Sequence, residues 1–335
     1  MKEKLLRLLC CPACKSDLRL EAAEIIEGEV KEGELVCGGC GKKHPIRGFV
    51  PRFVESDKYV GNFSFEWLLY RKTQLDSHNS SSQSRDELLE KTGFTAAELK
   101  GRTILDVGCG TGRYMEVAGA EGAEVVGVDL SFAVETAVEN LKGKPNMHVV
   151  QADVFSLPFK PGVFDFIYSI GVLHHTTSTR EAFFKLPRLL APGGSVSIWV
   201  YSNESRYEKA RNFVTDVYRF FTSRMPIRLL WLLCHLAIPM YYLKKLGKPG
   251  AILEILLPTS NSRNVEERVL NTFDWYSPKY QHKHTFAEVE AWFIAAGLRP
   301  RRLGFSVAVT GVMLSKGGAN QDAATSVSSL SKESR

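Results

Sequence analysis

The chain lacks the run of about 18 to 20 apolar residues that a membrane-spanning helix requires. Its N-terminal apolar stretch is too short for a signal peptide, and Leu9 before Cys10 is too large for a lipoprotein cleavage site. Glycine (27 residues) and proline (14 residues) are too scarce for a collagen-like or low-complexity chain. The net charge of +6 is modest, so the composition carries no strong nucleic-acid signal.

Cysteine is scarce outside the first 40 residues, which hold five of the seven cysteines. A secreted disulfide scaffold would distribute its cysteines, so this clustering favours metal binding in a reducing compartment. The composition, 44% hydrophobic and 24% charged, is that of an ordinary globular protein. We therefore expect a globular, cytoplasmic protein.

The order of apolar and polar segments predicts several regions. A cysteine-rich module comes first, followed by a polar connector with helical pieces. Strands then alternate with helices, which indicates βαβ units and a parallel sheet. A helix-like insert without a clear strand interrupts this core, and the small polar tail is expected to be disordered. The predicted boundaries are 1–54 for the module, 55–101 for the connector, 102–201 with 284–316 for the core, 202–283 for the insert and 317–335 for the tail.

Local signals predict where some elements begin and turn. Capping-box spacing, in which a Ser or Thr precedes a Glu by three residues, marks helix starts. It occurs at Ser84 with Glu87, Thr95 with Glu98, and Thr285 with Glu288. Two apolar runs flanking Gly304 predict a hairpin near the C-terminal end of the core.

Two CxxC pairs dominate the cysteine-rich module. They are formed by Cys11 with Cys14 and by Cys37 with Cys40, and 22 residues separate them. Each CxxC turn aims two sulfurs at one point, and a structural zinc site takes four ligands in a tetrahedron. We favour zinc over a set of buried or redox cysteines. Cys10 is left over and is predicted to be a packing residue.

The residues around these cysteines resemble the Trm112-like zinc-ribbon family over about 5–54. The resemblance lies in Leu9-Cys-Cys-Pro-Ala-Cys-Lys and in Leu35-Val-Cys-Gly-Gly-Cys-Gly-Lys-Lys-His-Pro-Ile-Arg-Gly. It implies a structural metal, which some family members have lost together with their cysteines. Free-standing members bind and activate methyltransferases. The sequence departs from the family at Cys10, where an apolar residue is more common.

A glycine-rich turn follows the first predicted core strand. Asp106-Val-Gly108-Cys-Gly110-Thr-Gly112 has Gly-x-Gly-x-Gly spacing, whereas a dinucleotide site needs Gly-x-Gly-x-x-Gly. No Gly-Lys-Ser/Thr is present, which excludes a P-loop. The spacing therefore predicts close approach of a ligand that has no pyrophosphate.

Acidic residues end the next two predicted strands. Asp129 lies 23 residues after Asp106, where a carboxylate can accept both hydroxyls of a ribose; the alternative is capping of the next helix. Asp153 is suited to a site for an exocyclic amino group, or it is a solvated loop residue. Because the carboxyl ends of parallel strands meet at one edge, these residues are expected to form one site.

Together these motifs resemble class I S-adenosylmethionine-dependent methyltransferases, in the subgroup of quinone-biosynthesis and similar small-molecule enzymes. The resemblance implies an α/β fold: a Rossmann-like, doubly wound, mainly parallel seven-stranded sheet, here with a zinc ribbon and a helical insert added. It implies that Gly108, Gly110 and Gly112 lie against the methionine part of S-adenosyl-L-methionine. It further implies that Asp129 binds the ribose, Asp153 lies near the adenine, and Asp106 reaches the methionine amine.

The reaction of that family is an in-line displacement, which needs a general base only for some acceptors. His174 and His175 follow the fourth predicted strand, near the expected methyl group, so one of them is a candidate base; alternatively both are structural. Methyltransferases that act on adenine or glutamine nitrogen usually carry Asn/Asp-Pro-Pro-Tyr/Phe there. Its absence from 169–175 favours a small, apolar or amphipathic acceptor.

The insert carries an unusual charge. Residues 205–248 contain nine basic and two acidic residues, a net charge of +7, and Leu229–Leu243 is almost wholly apolar. Fifteen residues are too few to cross a bilayer. We expect a lid over a lipid-like acceptor, with 205–248 in peripheral contact with the inner membrane face. The alternative is a packed helix pair with a solvated basic face.

Three functions stay open at this point. The favoured one is a small-molecule methyltransferase, and the others are an RNA or protein methyltransferase that docks through the zinc ribbon, and a non-catalytic cofactor-binding regulator. The regulator is weakest, because no expected cofactor position is lost. A shared basic face on the module would favour the RNA or protein acceptor, and its candidates are Lys15, Arg19, Lys42, Lys43, Arg47 and Arg52.

Overall fold

A computed structural model of the protein describes residues 1–54, 74–304 and 306–314. The first part of the predicted connector and the whole predicted tail, 317–335, lie outside these residues. The expected disorder of the tail and the predicted domain boundaries therefore stay predictions.

The N-terminal module is a short 3₁₀ helix followed by a four-stranded antiparallel sheet in the order β1-β2-β3-β4. The first hairpin turns at Glu27 and Gly28, whose φ angles of 51° and 80° suit the tight two-residue turns that match strand twist. The elements are the 3₁₀ helix Glu3–Leu8, β1 (Leu18–Ile26), β2 (Glu29–Cys37), β3 (Lys43–Arg47) and β4 (Val50–Pro51).

The core is a seven-stranded sheet in the order β10-β11-β9-β8-β5-β6-β7, as the resemblance implied. Strands β5 to β9 pair in parallel, and β11 runs antiparallel to both of its neighbours. The predicted hairpin around Gly304 is confirmed as β10 and β11. The strands are β5 (Thr103–Val107), β6 (Glu124–Asp129), β7 (Met147–Gln151), β8 (Phe164–Ile170), β9 (Leu190–Val200), β10 (Leu298–Arg302) and β11 (Val307–Met313).

Helices cover the sheet and build the insert. The described residues form α1 (Asp76–Asn79), α2 (Gln83–Thr92), α3 (Ala96–Leu99), α4 (Arg113–Ala120), α5 (Ala133–Asn140), α6 (Thr179–Phe183), α7 (Arg206–Thr222), α8 (Ile227–Cys234), α9 (Ala237–Leu243), α10 (Lys248–Leu256), α11 (Val265–Tyr276) and α12 (Phe286–Ala295). Short 3₁₀ helices lie at Val154–Ser156, Leu173–His175 and Pro187–Leu189.

The strand order places a ligand site beside β5. The chain runs outward from β5 to β6 and β7, and then returns to β8 on the other side of β5. In doubly wound sheets, ligands bind at the carboxyl edge where the strand order reverses. That edge carries the glycine turn and the ends of β6, β7 and β8.

The capping-box predictions have mixed outcomes. Thr95 and Glu98 form both bonds of a capping box, and the Thr285 side chain accepts a hydrogen bond from the Glu288 amide. The Ser84 prediction is wrong, because α2 already begins at Gln83. Its first turn is capped from a distance: the two oxygens of Asp76 accept the amides of Ser84 and Arg85, each at 2.9 Å.

The N-terminal module joins the core at the edge strand β7. Arg52 forms a parallel bridge to Gln151, and the Phe53 amide donates to the Gln151 carbonyl at 2.8 Å. The Arg52 guanidinium also reaches the Gln151 side chain at 2.8 Å and Glu135 at 3.0 Å. Cys10 is buried at this junction, and its amide donates to the Pro158 carbonyl. The module therefore covers part of an otherwise exposed sheet edge.

The insert folds as five helices, α7 to α11, between β9 and α12. The apolar stretch Leu229–Leu243 is divided into α8 and α9 by a turn at His235 and Leu236. A small core of its own joins α8 to α11, and it is formed by Leu230, Cys234, Val269, Phe273 and Tyr276. Among the described helices, each is too short or too polar to cross a bilayer.

Candidate functional site

A cavity of about 480 Å³ lies at the carboxyl edge of the sheet beside β5. The turns after β5, β6 and β8 form its floor, together with residues after β7. Four helices complete its walls: α2 of the connector, the first turn of α4, and α7 and α11 of the insert. The cavity is therefore lined by the core, the connector and the insert together.

The glycine turn contributes Gly108 and Gly110 to the cavity wall. Both have left-handed φ angles, 84° and 51°, which favour glycine. A Cβ on Gly108 would approach the Val172 side chain to 2.3 Å, so the turn requires glycine there. Gly112, at φ 89°, precedes the first turn of α4 and is not on the wall.

Asp129 ends β6 and lines the cavity. One of its oxygens accepts the Gly110 amide at 2.9 Å, and the other accepts the amide and hydroxyl of Ser131 at 2.8 and 2.7 Å. Burial raises the pKa of this carboxyl group above its ordinary value, although these hydrogen bonds partly oppose the rise. Asp129 thus makes the local contacts expected of a helix cap. It also lies on the cavity wall, as a ribose-binding residue would.

The other two predicted acidic residues lie off the wall. Asp106 is buried and accepts a hydrogen bond from the Tyr168 hydroxyl at 3.2 Å. Burial raises the pKa of Asp106 to about 8, although the Tyr168 hydroxyl opposes the rise. Asp153 caps a short 3₁₀ helix by accepting the Phe155 amide at 3.0 Å, while its neighbours Ala152 and Val154 line the cavity.

The two histidines occupy different positions. His175 lines the cavity, and its Nδ1 donates to the Tyr280 carbonyl at 3.0 Å. Burial lowers the pKa of His175 to about 4. His174 is fully buried behind it and stacks on Tyr201 at 3.9 Å between ring centroids. Within the described part of the chain, neither ring nitrogen of His174 has a hydrogen-bond partner.

Sequence reasoning missed a charged cluster on the cavity wall. Glu87 on α2 accepts hydrogen bonds from Lys91, Arg113 and Tyr114 at 2.8 to 2.9 Å. Burial raises the pKa of Glu87, but the charges of Arg113 and Lys91 outweigh that effect and bring it to about 2. The available signal was the spacing of Gln83, Glu87 and Lys91, which places them on one helix face. The capping-box spacing instead assigns Glu87 to the start of a helix.

The insert turns polar helix faces toward the cavity. On α7 the lining residues are Glu208, Arg211, Asn212 and Thr215, and on α11 they are Glu267, Asn271, Asp274 and Trp275. Both sets have the i, i+3/i+4, i+7 spacing of one helix face. The insert residues that line the cavity are therefore mainly polar rather than apolar, and the role of the insert as a lid stays a prediction.

The four predicted metal ligands converge in the module. All four sulfurs lie within 4.8 Å of one another. The contacts from Cys11 to Cys40 and from Cys14 to Cys37 measure 3.7 and 3.3 Å, close to the edge of about 3.8 Å expected for tetrahedral zinc bonds of 2.3 Å. The amides of Gly39 and Cys40 point at the Cys37 sulfur at 3.4 Å, as thiolate ligands favour. The residues present therefore fit a structural zinc ion.

Four of the six basic residues that were candidates for a shared face of the module have partners in the structure. Three of the six candidates are ion-paired with carboxylates: Arg19 with Glu21, Lys43 with Glu34, and Arg52 with Glu135. Lys15 reaches the Leu157 carbonyl at the junction with the core.

Comparison with known families finds a match for each of two segments of the chain. Residues 105–198 match the methyltransferase-domain family, and residues 2–48 match the Trm112p-like protein family. The chain contains a class I S-adenosylmethionine-dependent methyltransferase domain and a Trm112-like module. Both family resemblances seen in the sequence are thereby confirmed at the level of the two domains.

Two relatives illustrate the matches to the methyltransferase domain. A tRNA U34 carboxymethyltransferase of Pseudoalteromonas translucida is 34% identical over 128 residues, which are 34% of this chain and 39% of the relative. A tRNA (carboxymethyluridine(34)-5-O)-methyltransferase of Macaca fascicularis is 30% identical over 183 residues, 53% of this chain and 26% of the relative. The chain thus spans less than half the length of either relative.

A solved structure also resembles the chain. It is a complex between the Haloferax volcanii Trm112 methyltransferase activator and a methyltransferase, 13% identical, covering 76% of this chain and 98% of that one. The TM-score is 0.44, a likeness that supports no conclusion about function.

These matches correct the interpretation of the acceptor. Placement in the small-molecule, quinone-type subgroup is not supported, because the relatives are tRNA U34 enzymes. The prediction of a lipid-like acceptor, with membrane contact through 205–248 and no strong nucleic-acid signal, is contradicted by the same relatives. The net charge of +7 in residues 205–248 does not distinguish an anionic membrane from RNA, because the phosphates of both attract basic residues.

Proposed function

We propose that this protein is an S-adenosylmethionine-dependent methyltransferase whose acceptor is RNA, with tRNA as the first substrate class to test. The observation that carries the proposal is the similarity of its catalytic domain to enzymes named for tRNA U34. The polar inner faces of α7 and α11 support it, since a nucleobase presents hydrogen-bonding edges and an apolar acceptor does not. An RNA acceptor and reduced cysteine ligands together suit a cytoplasmic enzyme.

The residues of this chain would bind, orient and shield the reactants. Gly108 and Gly110 allow the left-handed backbone of the turn that lines the cavity, and Asp129 holds that turn in place. S-adenosyl-L-methionine, when bound, supplies a methyl group on a sulfonium. The insert helices cover the cavity and limit its access to water. Aromatic residues on the wall, Trp199, Tyr201 and Trp275, provide flat surfaces for a base.

His175 is our candidate for the group that accepts a proton from the acceptor, if the acceptor atom carries one. Because Nδ1 donates to the Tyr280 carbonyl, the basic lone pair belongs to Nε2. A pKa of about 4 keeps the ring neutral at pH 7, and protonation would remove its basicity only well below pH 6. We therefore expect kcat to lack an acidic limb near pH 6.5 and to fall near pH 4 to 5.

The measurement is kcat against pH for the wild type, His175→Gln and His174→Phe. His175→Gln should lower kcat roughly 100-fold or more with cofactor affinity unchanged, as loss of a general base does. His174→Phe keeps the stacking surface on Tyr201 and is the matched control, expected to retain activity. Equal losses in both variants would assign the pair a structural role.

Transfer of radioactive methyl groups tests the proposed acceptor directly. Purified protein is incubated with methyl-³H S-adenosyl-L-methionine and fractionated cell extract, and separately with unfractionated tRNA. We expect label in RNA that ribonuclease releases, and label in a single nucleoside after digestion. Label confined to protein or to the organic-solvent fraction, with none in RNA, would overturn the proposal.

A further inference from the structure

Helix α7 has two faces of opposite character. Its inner face, at Glu208, Arg211 and Thr215, lines the cavity. The opposite face carries residues at intervals of three and four positions, which places them in one stripe along the helix. We call this stripe the outer face of α7, and it comprises Arg206, Lys209, Phe213, Val217, Phe220 and, just past the helix end, Arg224.

The apolar members of the outer face are unusually exposed. Phe213 is 70% exposed and Phe220 is 60% exposed, and the neighbouring Phe221 is 64% exposed. A surface helix normally turns its charged side to water and its apolar side to the core. On α7 this arrangement is reversed, because the polar side faces the cavity. Clustered exposed aromatics of this kind indicate a surface that contacts a partner.

The ends of the outer face are positively charged and available. Arg206, Lys209 and Arg224 are exposed, and within the described residues none of them forms an ion pair with a carboxylate. The Arg224 guanidinium lies 4.3 Å from the centre of the Phe220 ring, so cation and aromatic surface form one platform. Asp216, at the flank, is neutralised by Arg219 at 2.6 Å and by Lys283.

We infer that the outer face of α7 is a docking surface for single-stranded RNA. Cations pair with phosphates while aromatic rings stack on bases, which is the combination used to bind single strands. The face spans about 27 Å from Arg206 to Arg224 at 1.5 Å per residue, so it can contact several nucleotides. Since the same helix covers the cavity, RNA held outside it lies close to the proposed acceptor site. The inference rests on the proposed function and extends it to a binding surface.

Charge complementarity favours RNA over a second copy of the chain. Two outer faces pressed together would oppose three cations on each side that have no carboxylate partner among the described residues, at a cost in like-charge repulsion. RNA removes that cost, because its phosphates neutralise the cations and release counterions. Self-association and binding to anionic lipid vesicles are alternative outcomes of the test.

The test measures binding of unfractionated tRNA and of a short unstructured RNA across a series of salt concentrations. The triple variant Arg206→Glu, Lys209→Glu, Arg224→Glu should weaken binding by about 100-fold and reduce the salt slope by about 2, as expected for three phosphate contacts at roughly 0.7 each. The matched control, Arg7→Glu, Lys100→Glu, Lys142→Glu, changes the same charge at exposed residues elsewhere and should bind as the wild type does.

Aromatic variants distinguish stacking from simple apolar contact. Phe213→Leu with Phe220→Leu keeps apolar area but removes ring stacking, and we expect about a tenfold or greater loss of RNA affinity. Phe213→Trp with Phe220→Trp should retain it. Unchanged cofactor affinity and unchanged thermal unfolding would show that each variant is folded.

The outcomes separate this inference from the proposed function. If wild-type protein methylates tRNA and the triple variant binds RNA and methylates it with an unchanged KM, the docking surface is refuted and the function stands. Failure of the wild type to methylate any RNA refutes the function, whereas the binding measurements still decide the surface. Vesicle binding or self-association that depends on these residues, without RNA binding, also refutes it.

Discussion

Asp129→Ala is expected to weaken binding of S-adenosyl-L-methionine by roughly 30-fold or more. The carboxylate lines the cavity at the end of β6, where it can accept both ribose hydroxyls. Loss of two charge-assisted hydrogen bonds costs on the order of 2 to 4 kcal/mol, which is roughly 30-fold to 1,000-fold in the dissociation constant. Isothermal titration calorimetry measures this loss directly.

The structure adds a second reason for a large effect. Asp129 also accepts the Gly110 amide, so alanine would release the turn that forms the cavity floor. Ser131→Ala separates the two contributions, because it removes one local hydrogen bond of Asp129 and leaves the carboxylate in place. We expect Ser131→Ala to weaken binding by less than tenfold, about the worth of one hydrogen bond.

Asp153→Ala is the matched comparison at the neighbouring strand end. Asp153 caps a 3₁₀ helix and lies off the cavity wall. The structure therefore gives it a local structural role, whereas the resemblance implies a position near the adenine. A cofactor affinity unchanged in Asp153→Ala would remove that role. An unchanged affinity in Asp129→Ala would remove the ribose assignment itself.

The sheet was predictable because its strands are buried on both faces and therefore appear as continuous apolar runs. The positions of the turn at Gly108 and of Asp129 were predictable too, because each residue lies at the end of one of these apolar runs. Sequence spacing was equally informative for the cysteines, since each CxxC pair is a local motif. Wherever neighbouring residues determine the geometry, the sequence was a sufficient guide.

Contacts between distant segments were not predictable in this way. The start of α2 is capped by Asp76, a residue outside any local capping pattern, and the Ser84 signal is overridden. Glu87 reaches the cavity only because α2 packs beside α4, which brings it to Arg113. The polar inner face of α7 likewise depends on which side of the helix meets the cavity, and helical spacing alone leaves that side undetermined.

Removal of zinc is expected to unfold the N-terminal module. Zinc held by four cysteines contributes on the order of 10 kcal/mol to a small module, which exceeds the stability available from so small a core. Purified protein should contain about one zinc per chain, and a strong chelator should expose the module to protease. Cys37→Ser should have the same effect without a chelator, since Cys37 is one of the four converging ligands.

The matched control is Cys10→Ser, because Cys10 is as buried as Cys37 but lies outside the cluster of four sulfurs. It should keep its zinc and its protease resistance. Retention of a folded module by Cys37→Ser without metal would contradict the structural role of zinc.

Loss of zinc should also affect the junction between the module and the core. Unfolding of the module would break the pairing of Arg52 and Phe53 with Gln151 and expose the edge of β7. An uncovered edge strand invites pairing with other chains, so metal removal should also make the protein aggregate, which light scattering would detect.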